Sequence, residues 1–315
     1  MTRVLISQTS LDMLGSRFEA LPVTPVVVGG WVEGVDVAWA SSDVFRDPKL
    51  TRKLLGAAKA SDDLKWLHTS AAGVDSPIFR ELAERGVILT TSHVTGPTIA
   101  EYTIRAVLDW YQKPELWQEA AREHTWREHE FREVLGTTWL IVGLGSIGTE
   151  VAVRAKAFGA TVIGTRRSPS GHEPVDEMLT PDRVAEALPR ADVVVLAAPA
   201  TPATTGLVDE AFLAAMKPGS VLVNVARGPL VDEAALLAAL DAGRIDGALL
   251  DVTNEEPLSP DSPLWSHPGI ALTPHSSGLG SGRHARSGEI FLENLTKFLA
   301  GETMRNVVTD SELIG

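Results

Sequence analysis

Along the first hundred residues, short continuous apolar runs alternate with stretches of helical spacing. The runs "RVLIS" (3–7), "VDVAWA" (35–40), "LKWLHTS" (64–70) and "GVILTTS" (86–92) have the length and bounding residues of buried strands. Between them, "PKLTRKLLGAAKA" and "SPIFRELAERG" repeat their apolar positions as amphipathic helices do. Strands that are apolar throughout are covered on both faces, which predicts a parallel sheet flanked by helices. A long helical region, about residues 97 to 134, breaks this rhythm. The alternation resumes at "TTWLIVG" (137–143), "ATVIG" (160–164), "ADVVVLAAP" (191–199), "GSVLVNVA" (219–226), "GALLDV" (247–252) and "GIALTP" (269–274). The expected fold class is therefore α/β, with two doubly wound parallel-sheet domains. The second begins at the glycine-rich turn after the "TTWLIV" run. The closing stretch "SGEIFLENLTKFLAG" predicts an amphipathic helix able to pack on either unit.

A chain of 315 residues is long enough for two well-buried cores. Its 28 Lys and Arg against 41 Asp and Glu give a formal charge of -13, which repels nucleic acid and anionic membranes at long range. No nucleic-acid or membrane partner is expected. An anionic ligand has to be caught by locally placed cations or backbone N–H groups. The absence of cysteine excludes disulfides, thiolate nucleophiles and Cys-ligated metals. No apolar core of a signal peptide follows "MTRVLISQTS", so a cytoplasmic location is the expectation.

Trp110, Trp117, Trp126 and Trp139 are half of the eight tryptophans and lie interleaved with charge. They read either as core packing of a long helix or as an arm burying aromatics against a second subunit. The second reading predicts a homodimer.

The turn "VGLGSIG" places Gly143, Gly145 and Gly148 between a strand and a helix. The first glycine permits the turn, the second lets a pyrophosphate approach, and the third lets helix and strand pack closely. Ser146 and Ile147 then offer their N–H groups to phosphate at the helix start. After the next strand, an NAD site wants a carboxylate for the ribose hydroxyls. Here stand Arg166, Arg167 and Ser168, and the nearest acid beyond them is Glu173. Two guanidinium groups and a hydroxyl suit the 2′-phosphate of NADP, so NADPH is the expected cofactor, with NAD the lesser one. The plain alternative is that both arginines face solvent or pair with surface acids.

Three further residues stand just after strand ends, the edge at which open α/β sheets bind ligands. Arg227 offers a fixed fork for a carboxylate, unless it caps a helix or pairs with a surface acid. Glu256, in "EEPL", and His275, in "TPH", form a possible acid–imidazole couple, since a neighbouring carboxylate stabilises imidazolium. Their separation in sequence does not prove contact.

Together, "VGLGSIG", "NVARGPLVDEAALLAAL", "GALLDV", "EEPL" and "TPHSSG" resemble the D-isomer-specific 2-hydroxyacid dehydrogenase family. The resemblance is dense over residues 137 to 282 and looser at "HTSAAGVD" (68–75) and "IAEYTIRAVL" (99–108). It implies hydride transfer between a nicotinamide cofactor and C2 of a short 2-oxo or 2-hydroxy acid, with glyoxylate and hydroxypyruvate as first trials. It also implies a Rossmann cofactor domain, residues 103–283, inserted in a flavodoxin-like substrate domain, residues 1–102 and 284–315. By the same resemblance Arg227 would bind the substrate carboxylate and polarise the carbonyl. His275 would exchange the proton, and Glu256 would hold His275 and stabilise its imidazolium. Ala72, Gly73 and Val74 would offer backbone N–H groups to the carboxylate. Asp251 and Ala226 would lie near the nicotinamide, and Pro199 would wall the adenosine crevice.

The departures concern the pocket. No asparagine precedes the helix that starts the cofactor domain, Thr253 replaces an aromatic residue after "LDV", and Ser276 replaces an apolar residue after the histidine. Two other readings compete. Corepressors called C-terminal binding proteins resemble the same family but carry unstructured tails, whereas this chain ends soon after "VVTD". Formate dehydrogenase pairs its histidine with glutamine, against Glu256 here. An S-adenosylhomocysteine hydrolase would need cysteine motifs, and the chain has none.

Overall fold

The computed structural model describes residues 1–29, 34–71, 73, 74, 76–309 and 313. It divides into two compact units, Met1–Thr95 with Gly280–Gly315, and Gly96–Leu279. The first holds a parallel sheet of β1 (Thr2–Ile6), β2 (Val23–Val27), β3 (Val37–Ala40), β4 (Trp66–Thr69) and β5 (Ile88–Thr91). The strand order, β2-β1-β3-β4-β5, is the flavodoxin-like order. Every residue of β3 and β4 is buried, as continuous apolar runs require. The terminal helix Arg283–Ala300 packs Phe291, Leu292 and Leu295 against Val4, Trp39 and Trp66 of this sheet.

The second unit contains β6 (Thr138–Val142), β7 (Thr161–Thr165), β8 (Glu177–Leu179), β9 (Val193–Leu196), β10 (Val221–Asn224), β11 (Gly247–Leu250) and β12 (Ile270–Leu272). All are parallel, in the order β12-β11-β10-β9-β6-β7-β8. Read from β8, this is the Rossmann order with one strand added beyond β11. Two apolar clusters cover its faces, one around Leu140, Val194 and Leu222, the other around Trp139, Val193 and Val223.

Two strands escape the apolar pattern. β2 contains Pro25 and is only partly covered, as suits an edge strand, and β8 is a three-residue edge strand. The region expected to be helical from about 97 to 134 is two helices, Gly96–Gln112 and Pro114–Arg122, followed by irregular chain. Lys113, at φ 49, breaks them apart ahead of Pro114.

The unit boundaries fall at 95/96 and 279/280, ahead of the 102 and 284 expected from sequence. Helix Gly96–Gln112 is continuous and packs along helix Ser146–Ala157 from its first turn. A Cβ on Gly96 would come within 2.8 Å of the Ser146 carbonyl oxygen. The whole helix therefore belongs to the second unit.

The four tryptophans do not act together. Trp139 is wholly buried in the second sheet, and the Trp110 ring lies over Gly247 while its Nε1 donates to Asp246 at 2.7 Å. Those two take the core reading. Trp117 and Trp126 are 37% and 94% exposed. Among the described residues no helix is long and apolar enough to cross a membrane.

Candidate active site

Parallel strands bring the chemistry-bearing turns of the second unit to one edge. The glycine turn follows β6, the arginine pair follows β7, Arg227 follows β10, Asp251 and Glu256 follow β11, and His275 follows β12.

Gly143 has φ 101, and a Cβ there would meet the Ala198 amide nitrogen at 2.7 Å. A Cβ on Gly148 would fall on the Gly143 carbonyl, so helix and turn touch backbone to backbone. Gly145 is different, with nothing within 4 Å of its Cβ position. It is also the N-cap of helix Ser146–Ala157 and leaves that helix start without a side-chain cap. Open space above an uncapped helix start, at Ser146 and Ile147, fits a pyrophosphate. The turn is tied to β7: Thr165 accepts from the Gly143 N–H on its hydroxyl at 3.1 Å and from the Leu144 N–H on its carbonyl at 2.8 Å. Pro199 stands exposed beyond β9 and accepts the Thr204 hydroxyl on its carbonyl at 2.7 Å.

Arg166 follows directly, 44% exposed at the side chain, and donates to Glu173 Oε1 at 3.2 Å. Glu173 also accepts the Ser170 N–H at 2.7 Å, the Ser170 hydroxyl at 2.9 Å and the Gly171 N–H at 3.0 Å. The Ser170 N–H, helped by these neighbours, holds the Glu173 carboxyl down at about 2. Arg167 and Ser168 are exposed, and Arg167 has no ion pair among the described residues. One of the two plain alternatives therefore holds for Arg166, which does pair with an acid. That acid is the anchor of the loop carrying it.

Asn224, a single polar residue in the apolar run of β10, is fully buried and clips the next turn. Its Oδ1 accepts the Ala226 N–H at 3.0 Å and its Nδ2 donates to the Arg227 carbonyl at 2.9 Å. Arg227 Nη1 donates to the Ala226 carbonyl at 2.8 Å. A Cβ on Gly228 would run into the Thr253 carbonyl, so the Arg227 turn lies directly against the loop that carries Glu256.

His275 Nδ1 lies 2.7 Å from Glu256 Oε2, with side chains 50% and 39% exposed. Contact between them, which spacing alone left open, is therefore made. Glu256 Oε1 accepts the Thr253 N–H at 3.2 Å, so the residue in place of an aromatic helps to seat the acid. His275 itself has φ 48, an uncommon conformation for a residue with a Cβ. Asp251 explains how the turn is held. Only 1% exposed, it accepts the Thr273 hydroxyl at 2.6 Å, the Ser276 N–H at 2.9 Å and the Ser277 N–H at 3.0 and 3.1 Å. Its own carbonyl accepts the His275 N–H at 2.8 Å. The Asp251 carboxylate is thus spent on the histidine turn. Because Thr273 donates to Asp251, Tyr102 has to donate to Thr273, at 2.7 Å, and burial raises the Tyr102 phenol above its ordinary range. Beside His275 a hollow of about 430 Å³ is lined by Thr253, Glu256, Leu258, Trp265 and Leu272.

Asn224, Tyr102 and Trp265 were not singled out from sequence. For Asn224 the usable signal was a lone polar residue in an apolar strand. Among the described residues no group of His, Asp and Glu is placed to hold a metal. Of the loop expected to bind the carboxylate, Ala72 lies outside the described residues. Gly73 and Val74 follow β4 in the first unit, and Val74 is buried.

Residues 104–277 match the family model of the D-isomer specific 2-hydroxyacid dehydrogenase NAD binding domain, more than half of the chain. The chain belongs to this family. It is 32% identical to D-3-phosphoglycerate dehydrogenase of Mycobacterium tuberculosis over 88% of its own length and 54% of the relative's. It thus spans about half of that longer protein. Among solved structures, it resembles the NADPH-dependent glyoxylate/hydroxypyruvate reductase of Sinorhizobium meliloti in complex with NADP and sulfate. That likeness has a TM-score of 0.79 and 25% identity over 99% of both chains. It also resembles a D-isomer specific 2-hydroxyacid dehydrogenase of Xanthobacter autotrophicus in complex with NADPH and MES, with a TM-score of 0.77 and 29% identity over 98% of both. The family is one of NAD(P)-binding oxidoreductases acting on small 2-hydroxy or 2-oxo acids, and the second unit is its Rossmann domain.

Proposed function

We propose that this chain is a cytoplasmic, homodimeric reductase converting a short 2-oxo acid to the D-2-hydroxy acid, with NADPH preferred over NADH. The observation that carries the reading is the 2.7 Å contact between His275 and Glu256, on a turn clamped by Asp251 beside the Arg227 loop. Bound at the glycine turn, the nicotinamide cofactor would supply the hydride. Gly145, Ser146 and Ile147 would take its pyrophosphate, and Ala226 and Pro199 would flank it. Arg227 would hold the carboxylate and draw charge from the carbonyl, while Gly73, Val74 and Ala72 would add N–H donors. His275, with Glu256 on Nδ1, would keep Nε2 for the proton given to the carbonyl oxygen. Asp251 acts through His275, as the residue that positions it. A formate dehydrogenase reading would want glutamine against the histidine, and its partner here is Glu256.

The direct test is a panel of 2-oxo acids, glyoxylate and hydroxypyruvate among them, with NADH and NADPH in parallel. No reduction of any acid would sink the proposal and favour a dinucleotide-sensing scaffold. Glu256→Gln keeps an acceptor at His275 but removes the counterion of the imidazolium. Reduction of the 2-oxo acid should therefore slow while dinucleotide binding is kept. An unchanged kcat would separate Glu256 from the proton transfer.

The dimer reading rests on Trp117 and Trp126, which line a surface hollow of about 470 Å³ with Ala120, Ala121 and Thr125. The Trp117 ring is braced by His129 at 4.5 Å and Phe131 at 5.8 Å, while Trp126 stands 94% exposed. Light scattering should give twice the 33.7 kDa chain mass, and Trp126→Asp should lower it. A chain-mass particle at micromolar concentration would refute the dimer and leave the reaction untouched.

A further inference from the structure

The donors that hold the histidine turn on Asp251 are of two kinds. Oδ1 accepts the N–H of Ser276 at 2.9 Å and of Ser277 at 3.1 Å, together with the Thr273 hydroxyl at 2.6 Å. The first two are backbone groups that almost any residue would supply. The third is a side chain two positions ahead of His275, and Tyr102 reaches it in turn, its phenol 2.7 Å from the Thr273 hydroxyl oxygen. Oδ1 already faces two N–H groups, so it accepts from Thr273, which then has only lone pairs to offer Tyr102. The protons are thus ordered from phenol to hydroxyl to carboxylate. Burial raises the phenol above its ordinary range, so Tyr102 remains a donor at neutral pH.

The phenol is delivered by a rigid element. Helix Gly96–Gln112 buries Ile99, Ala100, Ala106 and Val107 in one cluster with Trp139 and Ile141 of β6. At its start Gly96 lies against the Ser146 carbonyl, and near its end Trp110 lies over Gly247, the first residue of β11. The helix is therefore pinned at both ends, to the helix after the glycine turn and to the strand that leads into Asp251. The turn it braces is an unfavourable one. His275 has φ 48, and its N–H is shared between the carbonyls of Asp251, at 2.8 Å, and Thr273, at 3.0 Å. A residue with a Cβ keeps such a conformation where its surroundings over-determine it.

We propose that Tyr102 and Thr273 are positioning residues of the reductase: acting through Asp251, they fix the backbone from Thr273 to Ser277 so that His275 presents Nε2 in line for proton transfer. This rests on the reductase reading above and adds to it two side chains outside the reacting groups. Among the described residues their hydroxyls hydrogen-bond to each other and to Asp251, and to none of Arg227, Glu256 or the glycine turn. The chain therefore governs the aim of the imidazole without holding the substrate carboxylate or the dinucleotide. A small error in that aim slows the proton and hydride step and leaves binding largely as it was.

Three substitutions test it on any 2-oxo acid that the unaltered enzyme reduces. Thr273→Val keeps the shape of the side chain and removes the hydroxyl, Thr273→Ser restores the hydroxyl, and Tyr102→Phe removes the phenol oxygen alone. Thr273→Val should lose kcat by about tenfold or more, with the KM for the acid and the dinucleotide Kd changed by less than about twofold. Thr273→Ser should recover most of that loss. Tyr102→Phe should cost only about threefold, because Thr273 keeps its bond to Asp251. Added to Thr273→Val, Tyr102→Phe should cost nothing more, since its effect passes through the hydroxyl already removed. An unchanged kcat in Thr273→Val, a matching loss of dinucleotide binding, or two losses that multiply in the double variant overturns the inference alone. No reduction of any acid by the unaltered enzyme overturns the reductase reading and this inference with it.

Discussion

Arg227→Ala should lower kcat/KM for the 2-oxo acid by about a thousandfold, about 4 kcal/mol of transition-state stabilisation. The size follows from the double task given to one side chain. A carboxylate loses its bidentate partner, and the carbonyl oxygen loses the cation facing its developing charge. Arg227→Lys should recover only a little, since an ammonium keeps the charge without the planar fork. His275→Ala removes the proton donor instead, and turnover at neutral pH should fall by about 10³ or more while the dinucleotide still binds. Cofactor binding, read by fluorescence titration, separates the two kinds of loss from unfolding. Because Asn224 holds the Arg227 turn through two hydrogen bonds, Asn224→Ala should weaken the enzyme in the same direction but less. Retained turnover in both Arg227→Ala and His275→Ala would remove the chemistry from this edge of the sheet.

Much of the architecture was written in the apolar pattern because parallel strands buried on both faces need continuous apolar runs. β3, β9 and β10 are such strands. β2 and β8 were not legible, since an edge strand needs neither a continuous run nor a full set of N–H donors. Trp139 carried two readings, an arm from its charged neighbours and a buried strand from "TTWLIVG", and the strand decides where the ring goes. At the site, residue types and their places after strand ends were readable, while contacts were not. Glu256 and His275 are 19 positions apart, and only the adjacency of β11 and β12 brings their loops together. Asp251 was noticed and given a different task. A buried carboxylate needs several donors, and the turn it collects, Thr273 to Ser277, lies on the neighbouring strand's loop, beyond the reach of any local pattern.

The cofactor preference should be modest in the natural chain and large in its reversal. Arg166 and Arg167 bring two positive charges, but Glu173 sits on Arg166 and offsets one of them. One net charge and the Ser168 hydroxyl remain for the 2′-phosphate, which argues for a preference of about tenfold in kcat/KM, about 1.4 kcal/mol. Arg166→Asp with Arg167→Ala restores a carboxylate for the ribose hydroxyls and repels the phosphate, so the NADPH-to-NADH ratio should move by about a hundredfold or more towards NADH. The dependence on pH tells the phosphate from its loop. Glu173, depressed to about 2, keeps its charge above the ordinary carboxylate range and loses it only as pH falls through about 2. The loop is therefore unchanged between pH 7.5 and 5.5, whereas a phosphate monoester gives up its second charge near about 6. The natural preference for NADPH should shrink across that interval, and in the double variant it should not. NADH used as well as NADPH by the unaltered enzyme at pH 7.5 would mean that Arg166 serves the loop through Glu173 and not the cofactor.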